Sequence, residues 1–98
     1  MAQNEVVWSS RARLELYEML NFYFERNGTI EYSQKLFEQI KASAELLGRH
    51  PNLGGKTDKE NVRALVTVDY EIIYEVFDTH VLIVLIWDCR RNPDDKMV

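Results

Sequence analysis

Val62-Arg-Ala-Leu-Val-Thr-Val-Asp-Tyr-Glu-Ile-Ile-Tyr-Glu-Val-Phe-Asp-Thr-His-Val-Leu-Ile-Val-Leu-Ile-Trp87 decides the fold. It divides into three strand-like runs, Val62–Val68, Tyr70–Phe77 and Val81–Trp87, separated by Asp69 and by Asp78-Thr79-His80. Links that short leave room only for hairpins, so the three runs form an antiparallel meander. In the middle run, period two puts Tyr70, Ile72, Tyr74 and Val76 on one face. Glu71, Ile73, Glu75 and Phe77 take the other. The last run is unbroken apolar sequence with valine and isoleucine in it, which reads as a strand buried on both faces. It passes straight into Asp88, Cys89, Arg90 and Arg91. Two arginines at the mouth of a buried strand are a costly place for charge unless something anionic meets them. That end is therefore a candidate site.

Upstream, Glu5-Val-Val-Trp8 is a short first strand, and Ser9 and Ser10 offer hydroxyls to cap a helix. From Arg11 to Arg26, Ala12, Leu16, Met19, Leu20 and Tyr23 recur on one helical face. Leu14, Tyr17, Phe22 and Phe24 lie off that stripe. They predict contact with both the sheet and the next helix; the alternative is a partner-binding surface. Asn27-Gly28 closes the helix, because glycine accepts the left-handed conformation that ends it. Thr29 is placed to cap the next helix. Leu36, Ile40, Ala44 and Leu47 form that helix's inner stripe. Glu31, Lys35, Glu38, Lys41 and Glu45 alternate on a solvated face. Gly48 and Pro51 stop it. Two helices joined so closely form an antiparallel hairpin.

Arg49 to Asn61 is the longest irregular stretch. Its Gly54-Gly55 pair allows close approach to another backbone. The spacing of a phosphate-binding loop is not there. The element order is thus β-α-α-β-β-β, an α+β fold of two layers with a helical hairpin packed on a small antiparallel meander. The 98 residues make one domain, with 1–4 and 94–98 expected as flexible tails.

Composition narrows the function. A chain this long buries roughly 60–70% of its unfolded surface, enough for one core. The net charge is −4, from sixteen acids and twelve bases. No domain-wide basic field supplies the phosphate neutralisation that non-specific nucleic-acid binding needs, so any such contact is a local patch. The single Cys89 excludes an internal disulfide and a multi-cysteine zinc site. It fits a reducing, cytoplasmic location. Met1-Ala-Gln-Asn4 has no basic or apolar leader character, and no apolar run approaches membrane-spanning length. No metal or cofactor is expected.

The ordered set of local sequences resembles the RelE/ParE superfamily, the toxins of bacterial type II toxin–antitoxin modules. The likeness runs from Val6 to Pro93. It rests on Val7-Trp-Ser-Ser-Arg-Ala12, the helical hairpin, His50-Pro-Asn-Leu-Gly54 and Asn61-Val-Arg-Ala-Leu65. It continues through Tyr70-Glu-Ile-Ile-Tyr-Glu-Val76 and Val84-Leu-Ile-Trp-Asp-Cys-Arg-Arg-Asn-Pro93. The resemblance implies a growth-inhibiting toxin neutralised by a cognate antitoxin whose peptide wraps the sheet or helices. A homodimer or a toxin–antitoxin heterotetramer is the assembly it suggests. One branch cuts mRNA in the ribosomal A site; the other poisons DNA gyrase and has no known hydrolytic role. Arg63 matches the family arginine on the strand after the hairpin, and Arg90 or Arg91 the one ending the last strand. In the RNA-cutting branch these hold phosphate and stabilise the transition state. This chain departs from that branch in being acidic and in having nothing aromatic after Arg91. The expectation is therefore ParE-like binding of gyrase. The alternatives are a ribosome-dependent mRNA endoribonuclease and a degenerate, non-toxic protein-binding member.

RNA cleavage needs a base, an acid and cations on the phosphorane. Arg63, Arg90 and Arg91 supply planar forks that match phosphate. The competing reading pairs them with Asp88 and Glu71. Tyr74 is the candidate catalytic hydroxyl, set against a core tyrosine with a bonded hydroxyl. Lys56 and Lys59 extend a target-binding rim from Arg63, or are simply solvated beside Asp58 and Glu60.

Overall fold

The computed structural model describes residues 4–89. Its elements are β1 (Glu5–Trp8), α1 (Ser10–Asn27), α2 (Glu31–Arg49), β2 (Gly55–Lys56), β3 (Val62–Thr67), β4 (Tyr70–Val76) and β5 (His80–Asp88). The sheet order is β1-β5-β4-β3-β2. The expected meander is β3, β4 and β5, antiparallel throughout. β1 joins it in parallel beside β5, with Val6 opposite Val81 and Trp8 opposite Ile83. β2 adds two residues to the other edge, inside the stretch expected to be irregular.

Ser9 caps α1 in extended conformation, its hydroxyl accepting from the Ala12 N–H at 3.0 Å. Gly28 closes α1 at φ 69°, its N–H donating to the carbonyl of Phe24. Thr29 does not cap α2. The cap is Ile30, itself in helical conformation and without a side-chain bond. The link between the helices is too short for the extended residue that a capping side chain needs. The helices run antiparallel: the Ser33 hydroxyl donates to the Leu20 carbonyl at 2.8 Å, and the Tyr23 and Tyr32 rings meet edge to face.

The helical stripes pack as their spacing predicts. Ala12, Tyr23, Leu36, Ile40, Ala44 and Leu47 are buried with Tyr70, Ile72, Tyr74, Val81, Ile83 and Ile86. The off-stripe residues of α1 do not. Leu14, Tyr17, Phe22 and Phe24 are 46–68% exposed. The reason is layering: α1 rests on the sheet along one stripe and on α2 along its flank, and nothing among the described residues covers its outer side.

β5 is buried on both faces by way of a bulge. Ile73 pairs with Leu85 but Tyr74 with Ile83, leaving Val84 as the extra residue. Past it, Leu85 and Trp87 join Val62 and Ile73 in a second cluster, while Ile86 stays with the helices. β1 ends opposite Ile83, and α1 takes over the edge of β5. The Ser9 hydroxyl donates to the Val84 carbonyl at 2.8 Å, and the Ile86 N–H donates to Glu15 at 3.0 Å. Among the described residues no helix is long and apolar enough to cross a membrane.

Candidate functional site

The chain between α2 and β3 is fastened to the sheet by two of the residues singled out above. Tyr74, in the middle of β4, is fully buried. Its hydroxyl donates to the Pro51 carbonyl at 2.7 Å and accepts the Gly54 N–H at 2.9 Å. Arg63 stands opposite Tyr74 in the β3–β4 register. One end of its guanidinium donates to the carbonyls of Gly54 at 2.7 Å and Asn52 at 3.3 Å. Gly54 is tight for a physical reason: a Cβ there would lie 2.7 Å from the Ala64 carbonyl oxygen and 2.9 Å from Cε1 of Tyr74. Gly55 has open space around it and is under no such demand.

Burial pushes the Tyr74 hydroxyl above the usual phenol range. The Gly54 N–H and the Arg63 charge pull the other way, with less effect. The phenol therefore stays protonated at neutral pH, with its proton committed to a backbone carbonyl. That is the arrangement of a core tyrosine. It leaves Tyr74 no free lone pair aimed at solvent.

Beside this corner lies a cavity of about 470 Å³, lined by Asn52, Lys56, Thr57, Asp58, Lys59, Glu60, Asn61 and Arg63. Lys56 and Arg63 are cross-strand neighbours in the β2–β3 pair. The Thr57 hydroxyl donates to the Val62 carbonyl at 2.8 Å and accepts from the Lys59 N–H, which sets Lys59 over the cavity. Asn61, at φ 65°, offers its carbonyl to the N–H of Val76. Asparagine tolerates that conformation well. Among the described residues the one salt bridge is Arg11–Glu15, on α1. The cavity's three cations thus carry no directly bonded carboxylate, and the outer guanidinium nitrogens of Arg63 remain for an anion.

The structure brings Lys56, Lys59, Arg63 and Tyr74 together. Arg90 and Arg91 lie outside the described residues. The register still places the mouth of β5: Tyr70 is opposite Asp88, whereas Arg63 is level with Tyr74 and, across it, Ile83. Four residues along β4 is about 13 Å. The Arg63 corner and the mouth of β5 are therefore separate places on the sheet.

Two further surfaces lie on the helical layer. One is a cleft of about 520 Å³ between α1 and the ends of β4 and β5, containing Glu15, Glu18, Phe22 and Arg26 over Tyr23 and Tyr70, whose hydroxyls are 3.0 Å apart. The other is a groove of about 300 Å³ between α1 and α2, lined by Tyr17, Leu20, Phe24, Ile30 and Phe37. The off-stripe aromatics of α1 were the signal for the groove. No sequence signal marked the cleft, which forms only when β5 meets α1. No cluster of three metal-ligating side chains exists among the described residues.

Fold and site define a small two-layer domain with a charged cavity at one corner and an apolar groove on its helical layer. The family model for the ParE toxin of type II toxin–antitoxin systems, parDE, matches residues 6–93, and the chain belongs to that family. It is similar in structure to a chain of the chromosomal ParDE toxin–antitoxin system from P. aeruginosa, with a TM-score of 0.76 and 18% identity. That match covers 88% of this chain and 96% of the other. No curated protein matches the sequence. The resemblance read from the residues is thus narrowed to the ParE toxin family.

Proposed function

We propose that this toxin arrests growth by binding DNA gyrase rather than by cutting RNA, and that a cognate antitoxin neutralises it. The observation that carries the reading is the state of Tyr74. Its hydroxyl is buried, protonated and bonded on both sides by backbone, so it supplies no base beside the cations. What remains is contact chemistry: Arg63, Lys56 and Lys59 at the cavity, with Arg90 and Arg91 as further target contacts. Such cations suit acidic side chains on a protein target as well as phosphate.

The antitoxin reading draws on the apolar groove between α1 and α2. An amphipathic segment laid across Tyr17, Phe24, Ile30 and Phe37 would bury apolar surface that this fold leaves in water. Acidic residues elsewhere on α1 favour a segment with basic flanks. Such a complex, as a toxin–antitoxin heterotetramer or around a toxin homodimer, would form in the cytoplasm and keep the toxin from gyrase.

A second reading, a ribosome-dependent mRNA endoribonuclease, is favoured by one feature: Arg63, Lys56 and Lys59 converge on one cavity. Purified protein tested on gyrase supercoiling and on translating ribosomes separates the two. Lost supercoiling with intact mRNA is the expected result. Discrete A-site cuts would promote the nuclease. Growth arrest on induction, relieved by the neighbouring antitoxin gene, is expected under both, and unimpaired growth with folded toxin accumulating would leave a degenerate binding protein.

A further inference from the structure

The β3–β4 hairpin holds an apolar residue in an unfavourable conformation that no internal packing offsets. Thr67 pairs with Tyr70, so Val68 and Asp69 are the whole turn. Val68 stands at φ 56°. Glycine and asparagine enter that left-handed region readily; a β-branched residue enters it only under constraint. Two-residue hairpin turns with positive φ at the first central position take glycine there. Here the chain has valine instead. The side chain is 47% exposed and belongs to neither apolar cluster. Val66, on the strand leading in, is 61% exposed. Strain of this kind persists where the strained residue has a task.

The tip is anchored. The Asp69 carbonyl accepts the Cys89 N–H at 2.8 Å, which ties the turn to the residue immediately before Arg90 and Arg91. The Asp69 carboxylate repels a phosphate backbone, and the two exposed valines beside it offer phosphate no donor. They fit a protein surface with a small aliphatic pocket next to a lysine or arginine.

We propose that Val68, with Val66 and Asp69, is a contact point for the toxin's target, met as a protein surface of apolar and cationic character. This rests on the target-binding reading above.

The test uses Val68→Asn and Val68→Gly in the full chain. Both residues accept positive φ, so neither variant threatens folding. Val68→Asn is expected to raise the melting temperature by about 4 °C. Both variants are expected to need roughly tenfold more toxin for the same growth arrest, and roughly tenfold more in a gyrase supercoiling assay. Variants that are more stable and as potent as wild type overturn the proposal while the target-binding reading stands. A wild type that arrests neither growth nor gyrase removes that reading and this contact together. Variants that arrest growth normally but escape rescue by the antitoxin assign the tip to the antitoxin, which also overturns the proposal.

Discussion

The corner under Tyr74 and the outer face of the helical hairpin reverse what their compositions suggest. The corner is made of arginine, tyrosine and glycine, residue types that read as chemistry. It uses them to hold backbone: Tyr74 on Pro51 and Gly54, Arg63 on Gly54 and Asn52. The hairpin face carries Leu14, Tyr17, Phe24 and Ile30, residue types that read as core, and leaves them 46–68% exposed. A buried polar group must find a partner wherever it is, so polar residues near a loop are drawn into structural service. An apolar residue has no such obligation and goes to the core only if a second surface covers it. What looks catalytic here is largely architectural, and what looks architectural is available for binding.

The sharpest way to break that contrast is Gly54→Ala. The added Cβ meets backbone at 2.7 Å, which a flexible side chain cannot relieve. The cost is expected to be about 3 kcal/mol, lowering the melting temperature by more than roughly 10 °C. Gly55→Ala, in open space, is the control and should shift stability by no more than about 0.5 kcal/mol. If Gly54→Ala melts like the wild type, the corner is not close-packed.

Tyr74→Phe comes next. It leaves the Gly54 N–H and the Pro51 carbonyl without their partner, at about 2 kcal/mol. The sign of its pH dependence follows from the raised phenol. The folded state holds the proton more tightly than the unfolded state, so the stabilisation is fully present below the unfolded value near 10 and declines as pH rises above it. The stability gap between wild type and Tyr74→Phe should therefore narrow in melts taken above about pH 10. A gap that widens there would falsify the assignment of Tyr74 as a protonated backbone anchor.

Arg63 lies between the two regions in character. Arg63→Ala loses charge-assisted bonds to two carbonyls and should cost about 1.5 kcal/mol. If its outer nitrogens also meet the target, potency in growth arrest should fall on the order of 10–100-fold at equal folded protein. Arg63→Lys keeps the charge without the fork and should recover part of the potency but little of the stability. Unchanged potency in both variants would confine Arg63 to holding the loop.

The smallest stability change belongs to the hairpin face. Tyr17→Ser and Phe24→Ser remove exposed rings and should move stability by about 0.5 kcal/mol or less. Antitoxin affinity, measured by titration calorimetry, should nevertheless drop by about 30-fold for each, as for an aromatic anchor in an interface. Affinity that survives both substitutions would return these residues to ordinary surface.

Much of this was readable one residue at a time. Ala12, Leu16, Met19, Leu20 and Tyr23 announce the inner face of α1, and Leu36, Ile40, Ala44 and Leu47 that of α2, because helical periodicity acts within a few turns. Tyr70, Ile72, Tyr74 and Val76 face the helices, as period two requires. The glycine at 54 was legible as a close approach, though what it approaches was not. The candidate site was legible only as residue types: nothing in the spacing of Tyr74 and Arg63 says that their hydrogen bonds end on residues 51–54.

Local pattern and short links by themselves determine the two helices, their hairpin and the β3–β4–β5 meander, since the choice at each step is made by neighbours in the chain. Tertiary structure alone decided that β1 lies parallel to β5, that Ser9 and Glu15 satisfy β5 beyond the end of β1, and that Arg63 turns to Gly54 rather than toward the mouth of β5. It also decided that no other described element covers the outer side of α1. Ser9 and Val84 are 75 residues apart, Glu15 and Ile86 71. No periodicity spans such distances. Which of these groups meet is set by how two layers dock, and the buried backbone they leave open then selects its partners from whatever side chains are in reach.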